Sequence, residues 1–185
     1  AAATLGEARV FSDSGIANIL ITSPVVGAAK ISELVYLNNT STNLTLVVDN
    51  QHNLTDLNSA AGQLGKPLNV LVDVDVGLNR TGVSSTYDAI NLIELALLYD
   101  HIHFSGLQAY AGHVMHITNY LDRRKKNITD MSSLEKILLA CEEKHIRPKI
   151  ISGGGTGTYN IDPNIGLLNE MQVGSYAVMD VEYCD

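Results

Sequence analysis

Short apolar, β-branched runs alternate along the chain with stretches of helical periodicity. The run Asn18 to Ile21 is followed by Pro24, suited to the first turn of a helix, and by Ile31, Leu34 and Val35 at helical spacing. A second run, Leu44 to Val48, ends on Asp49-Asn50 and leads into a stripe of Leu54, Leu57, Ala61 and Leu64. The third run, Val70 to Val76, precedes Ser85 and Asp88, which read as the start of a helix striped by Ile90, Ile93 and Leu97. After a fourth run, Ile102 to Tyr110, Asp130 reads as the cap of a helix carrying Leu134, Ile137, Leu138 and Cys141. Ile150-Ile151 and Met171 to Val178 are the last two runs.

Strands that alternate with helices build a parallel sheet. Two closures are open: a doubly wound sheet, which binds ligands at its switch point, and a (β/α)8 barrel, which binds them at the C-terminal ends of all its strands. Polar residues follow most of the runs: Thr22-Ser23, Asp49-Asn50, Asp75 with Asn79-Arg80, Gln108 with Tyr110, Ser152 onward, and Asp180. Such a ring favours the barrel. With about six βα units of eight, the barrel is incomplete, and about two units are expected to be missing. Residues 1 to 9 read as the inside of a helix, position 1 is not Met, and no closing element precedes Asp185. The expectation is a partial barrel domain over residues 1–185.

Composition narrows the class. Hydrophobic residues make up 45%, as in a globular chain, and the net charge of −8 argues against a nucleic-acid partner. The one basic cluster, Arg123-Arg124-Lys125-Lys126, is read as solvated surface between elements. Two distant cysteines, Cys141 and Cys184, suit a reducing, cytoplasmic setting. No run is long enough to span a membrane, and no signal peptide is visible.

Four segments carry candidate chemistry. In Ser152-Gly153-Gly154-Gly155-Thr156-Gly157-Thr158, consecutive glycines after a strand let backbone N–H groups approach an anion, with hydroxyls at Ser152, Thr156 and Thr158. A flexible turn is the plain alternative. In Asp73-Val74-Asp75-Val76-Gly77-Leu78-Asn79-Arg80-Thr81-Gly82-Val83, two same-side carboxylates precede an arginine suited to an anion or a heteroaromatic nitrogen. An Asp–Arg pair that only shapes the loop is equally open. In Gly106-Leu107-Gln108-Ala109-Tyr110-Ala111-Gly112-His113-Val114-Met115-His116, two histidines stand near a strand end, where one could act as acid or base. His101 and His103, same-face residues at the opposite end of that run, are read as structural, with a metal pair as the alternative. Gln172-Val173-Gly174-Ser175-Tyr176 is the fourth segment.

In this order the segments resemble those of the D-threonine aldolase and eukaryotic-type D-serine dehydratase family, fold-type III relatives of alanine racemase that use pyridoxal 5'-phosphate. The resemblance implies an eight-stranded barrel followed by a β-domain, and a cofactor site built from Arg80, Tyr110, Ser152, Gly154, Gly155, Thr156, Ser175 and Tyr176. Arg80 would face the pyridine nitrogen. The glycine turn, with Ser175 and Tyr176 on the next strand, would hold the phosphate. Tyr110 would stand near the cofactor, and a histidine, His116 in preference to His113, would deprotonate the substrate hydroxyl. The family's Schiff-base lysine belongs on the first barrel strand. Lys30, Lys66, Lys125, Lys126, Lys136, Lys144 and Lys149 all fall elsewhere, so that lysine is expected to be absent from this chain.

The implied activity is cleavage of a D-3-hydroxy-amino acid to glycine and an aldehyde. D-serine dehydration and racemisation are the alternatives within the family. A non-catalytic carrier of pyridoxal phosphate and a phosphate-binding barrel without it are the alternatives outside. The implied partners are a small amino-acid substrate, a second copy in a homodimer, and a divalent metal held by the C-terminal domain, with no metal ligands in this chain.

Overall fold

In the computed structural model, which describes residues 1–40 and 43–178, the six apolar runs seed six parallel strands of one sheet. They are β1 (Asn18–Ile21), β2 (Asn43–Val48), β3 (Leu68–Val74), β4 (Ile102–Ala109), β5 (Ile150–Gly153) and β6 (Glu170–Met171), in the order β1-β2-β3-β4-β5-β6. A doubly wound sheet reverses its strand order at a switch point. This sheet never does, and it curls into the arc of an incomplete (β/α)8 barrel. Helices α1 (Leu5–Asp13), α2 (Ala28–Thr40), α3 (Gln51–Leu64), α4 (Thr86–Leu98), α5 (Tyr120–Glu143) and α6 (Asp162–Ile165) connect the strands, with short 3-10 turns at Gly112–Val114, Thr156–Thr158 and Ser175–Val178. No helix among the described residues is long and apolar enough to cross a membrane.

Strand alternation separates two environments. Leu44, Leu46 and Val48 of β2 and Val70, Val72 and Val74 of β3 pack into one core with Leu34 of α2, Leu54 and Leu57 of α3, and Ile93 of α4. Each of these large side chains contributes about 1.5–3 kcal/mol through burial. The intervening residues face the concave side, where Leu20, Thr45, Leu71, Ile150 and Glu170 line a hollow of about 530 Å³.

One irregularity sets the site. The β3–β4 register passes from Val70↔Phe104 to Leu71↔Gly106, so Ser105 is an extra residue in β4. A bulge of one residue reverses which side chains face inward beyond it. Here it turns Gln108 and Tyr110 to the concave side. Gly106 follows because a Cβ there would lie 1.8 Å from the Ile150 carbonyl oxygen.

Several sequence expectations are corrected. Helix α2 starts only at Ala28, because Gly27 takes φ +89° in the left-handed region; Pro24 lies in the loop before it. Residues 1–9 are not all helical. Ala2 bridges β1, its N–H donating to the Leu20 carbonyl, and Thr4 caps α1 by accepting from the Glu7 N–H. Helix α5 is capped by Asn119, which accepts from the Leu121 and Asp122 N–H groups. Arg123 to Lys126 therefore lie inside the helix, and Asp130 is mid-helix rather than a cap. The buried stripe of α5 is Asn127, Met131, Leu134, Ile137 and Cys141. The polar residue at its head hid the first turns from an apolar count. The sixth run is a strand only at Glu170–Met171; Ser175 and Tyr176 sit in the 3-10 turn after it. Asp180 and Cys184 lie outside the described residues.

Candidate active site at the C-terminal strand ends

A chain of hydrogen bonds crosses the concave face from β3 to β6. The Thr81 hydroxyl donates to Asp73 Oδ2 at 2.8 Å, and Gln108 Nε2 donates to Asp73 Oδ1 at 2.9 Å. Gln172 Nε2 donates to Gln108 Oε1 and to Ser152 Oγ, each at 3.0 Å, and Ser152 Oγ donates to Glu170 Oε1 at 2.6 Å. Burial pushes the Asp73 carboxyl up to about 6 despite the bonds from Gln108 and Thr81; nearby Asp49 adds to the rise and Arg80 opposes it. The Ser152 hydroxyl is fully buried in this network, below the glycine turn rather than on it.

The loop after β3 stands on this floor. Asp75 Oδ1 accepts from the Gly77 and Asn79 N–H groups, Asn79 Nδ2 donates to the Gly77 carbonyl, and the Gly82 N–H donates to Asp49 Oδ2. Both carboxylates of the Asp73–Asp75 pair thus shape the loop. Among the described residues neither forms an ion pair with Arg80. The guanidinium instead lies 5.8 Å from the centre of the Tyr110 ring, a cation–π arrangement.

The far edge of Tyr110 meets the glycine turn, since a Cβ on Gly155 would lie 3.4 Å from Tyr110 Cε2 and 2.9 Å from Met115 Cε. Gly154 has φ +65°, and a Cβ there would lie 2.6 Å from Asp162 Oδ2. The Gly155 N–H donates to Thr158 Oγ1, whereas those of Thr156 and Gly157 have no intramolecular acceptor among the described residues. The Tyr176 N–H donates to Thr156 Oγ1 at 3.3 Å, which draws the Ser175–Val178 turn against the glycine turn. Arg80, Tyr110, Gly154, Gly155, Thr156 and Tyr176 are therefore brought to one end of the sheet.

The two site histidines have different settings. His113 Nε2 is 2.7 Å from Asp130 Oδ2 and packs on Gly77, while His116 is exposed on the next turn. His101 packs on Gly62 of α3 and His103 is exposed at the start of β4, away from the site. All seven lysines lie in helices, turns or strand approaches: Lys149 immediately precedes β5, and Lys66 donates to the Asn38 carbonyl. Among the described residues no three His, Cys, Asp or Glu side chains converge on a metal position.

Helix α5 supplies contacts that sequence motifs did not reveal. Arg123 Nη1 donates to the Ile117 carbonyl at 2.6 Å, beside His116. Asn127 Nδ2 donates to Asp162 Oδ1 at 2.6 Å, behind Gly154. The one available signal was Asn127, a polar residue on an otherwise apolar stripe.

The profile of the alanine racemase N-terminal domain matches residues 1–181. The chain belongs to that family. Among relatives of this alanine racemase-like domain, a 3-hydroxy-D-aspartate aldolase from Paracoccus denitrificans (strain Pd 1222) is 35% identical over 179 residues, which is 97% of this chain and 46% of the relative. A D-threonine aldolase from Arthrobacter sp is 36% identical over 179 residues, covering 97% and 47%. The crystal structure of D-threonine aldolase from Filomicrobium marinum superposes with a TM-score of 0.92 at 32% identity, covering 96% of this chain and 48% of that one. The alanine racemase-like chain thus spans about half the length of the relatives it matches.

Proposed function

We propose that the full-length protein is a pyridoxal-phosphate-dependent lyase that cleaves D-configured 3-hydroxy-amino acids, such as D-threonine, to glycine and an aldehyde. The observation that carries this reading is the meeting of Arg80, Tyr110 and the glycine turn at the C-terminal strand ends. The aldolase names of the relatives support the reaction class.

The residues fit the cofactor. The Thr156 and Gly157 N–H groups and the Thr156 hydroxyl offer donors to a phosphate, with Tyr176 beside them. Arg80, which forms no ion pair among the described residues, would meet the pyridine nitrogen, and Tyr110 forms a wall between it and Gly155. Pyridoxal phosphate, when bound, supplies the electron sink for the pair released as the Cα–Cβ bond breaks. His116 is assigned the hydroxyl proton, whose loss turns the β-carbon into the aldehyde carbonyl. Arg123 steadies its turn through the Ile117 carbonyl. No lysine of this chain lies at a strand's C-terminal end, so these residues offer no covalent anchor. Among the described residues no three His, Cys, Asp or Glu side chains form a metal ligand set. The same reading places the protein in the cytoplasm as a homodimer.

Purified full-length protein should release glycine and acetaldehyde from D-threonine. Formation of 2-oxobutanoate and ammonia instead would replace the lyase assignment with dehydration, and interconversion of D- and L-alanine would replace it with racemisation. Arg80→Ala should weaken cofactor binding and turnover at least tenfold, roughly one lost charge-assisted contact, while exposed Lys125→Ala leaves both unchanged. Equal effects would overturn the Arg80 assignment.

A further inference from the structure

We infer that His113 and Asp130 form a positioning latch that holds the tip of the Arg80 loop, and that His113 is not the acid–base group acting on substrate. The inference rests on the cofactor reading above.

The latch joins three elements. His113 comes from the 3-10 turn after β4, Asp130 from the middle of α5, and Gly77 from the loop after β3. His113 Nε2 and Asp130 Oδ2 are 2.7 Å apart, with the histidine side chain 23% and the aspartate 10% exposed. Lys126, one turn earlier on α5, donates to both Asp130 oxygens at 2.6 Å. The carboxylate is thereby fixed from the helix side and pinned to His113 from the other. Gly77 rests on this pair: a Cβ there would lie 3.4 Å from His113 Cε1 and Nε2, and 3.8 Å from Asp130 Cγ.

Gly77 also ties to the rest of its loop. Its N–H and that of Asn79 share Asp75 Oδ1, and its carbonyl accepts from Asn79 Nδ2, immediately before Arg80. At φ +108° it holds a conformation that favours glycine. The loop tip and the β4 turn therefore touch twice, at Gly77 on His113 and at Arg80 over Tyr110. Two contacts fix a loop's orientation where one leaves it free to pivot.

A latch and an acid–base dyad answer differently to the same substitutions. Asp130→Asn keeps an acceptor oxygen for the histidine N–H but removes the charge. Asp130→Leu removes both. Two readouts on the full-length protein separate the cases: hydrogen exchange of the 77–82 amides without cofactor, and the dissociation constant for pyridoxal phosphate titrated into cofactor-free protein. The latch requires that Asp130→Leu speed exchange in that segment and weaken cofactor binding about tenfold, the scale of one hydrogen bond to a charged group, while Asp130→Asn restores most of both. Gly77→Ala should reproduce the Leu phenotype, and global melting checks that each variant folds. Unchanged exchange and affinity in Asp130→Leu would overturn the latch. So would a fall in kcat in Asp130→Asn with cofactor affinity intact. Faster exchange in Asp130→Leu, in a protein whose wild type binds no pyridoxal phosphate, would sink the cofactor reading and leave the latch standing.

Discussion

Two hydrogen bonds, from Gln108 and Thr81, do not keep the Asp73 carboxyl in the usual acidic range against its burial. Its folded value, about 6, exceeds the ordinary 3.8, so the fold favours the protonated form. That contribution is complete below about pH 4 and is lost as pH rises through about 6. At 1.36 kcal/mol per unit it amounts to about 3 kcal/mol at most. Denaturant unfolding of wild type and Asp73→Asn should therefore diverge between pH 4 and 7, with wild type losing stability relative to the variant. A difference independent of pH would contradict this. The residue types at this site were legible in the sequence, since Arg80, Tyr110 and the glycine run stand out by type and spacing. Their pairing was not. Asp73 and Gln108 are 35 positions apart and meet only because β3 and β4 are neighbours. Ser152 shows the same limit: its place after a strand suggested an anion contact, but alternation directs its hydroxyl into the network below.

Among the elements, α5 departs furthest from its sequence pattern. Its charged run reads as surface because four consecutive cations carry no apolar spacing, yet Arg123 at the head of that run turns inward to Ile117. Arg123→Ala should cost about 1–3 kcal/mol, because it removes a donor to a backbone carbonyl, while Lys125→Ala stays within about 0.5 kcal/mol. Comparing their unfolding midpoints checks this, and equal midpoints would return the whole run to the surface. The other helices were legible where burial follows hydrophobicity: Ile31, Leu34 and Val35 in α2, and Leu54, Leu57 and Ala61 in α3, all face the core. Helix starts were less so, because a single left-handed glycine, Gly27, outweighs Pro24.

For the whole molecule, the order of strands follows the order of the chain, which is why repeated βα patterning sufficed to expect a barrel. The placement of the lysines is also a whole-chain property, none lying at a strand's C-terminal end. These 185 residues alone should show no cleavage of D-threonine when supplied with pyridoxal phosphate, as assayed by aldehyde release, and robust turnover would refute the lysine argument. The extra residue at Ser105 has a consequence of its own. It acts on β4 as a frameshift acts on a message: every side chain downstream is read from the other face. A β4 paired regularly through Ser105, without the bulge, would present Leu107 and Ala109 to the concave side and drive Gln108 and Tyr110 under the helices, erasing the site without changing any of its residues. The unpaired residue, rather than the alternation of apolar and polar positions along β4, thus decides which of its side chains the concave face receives.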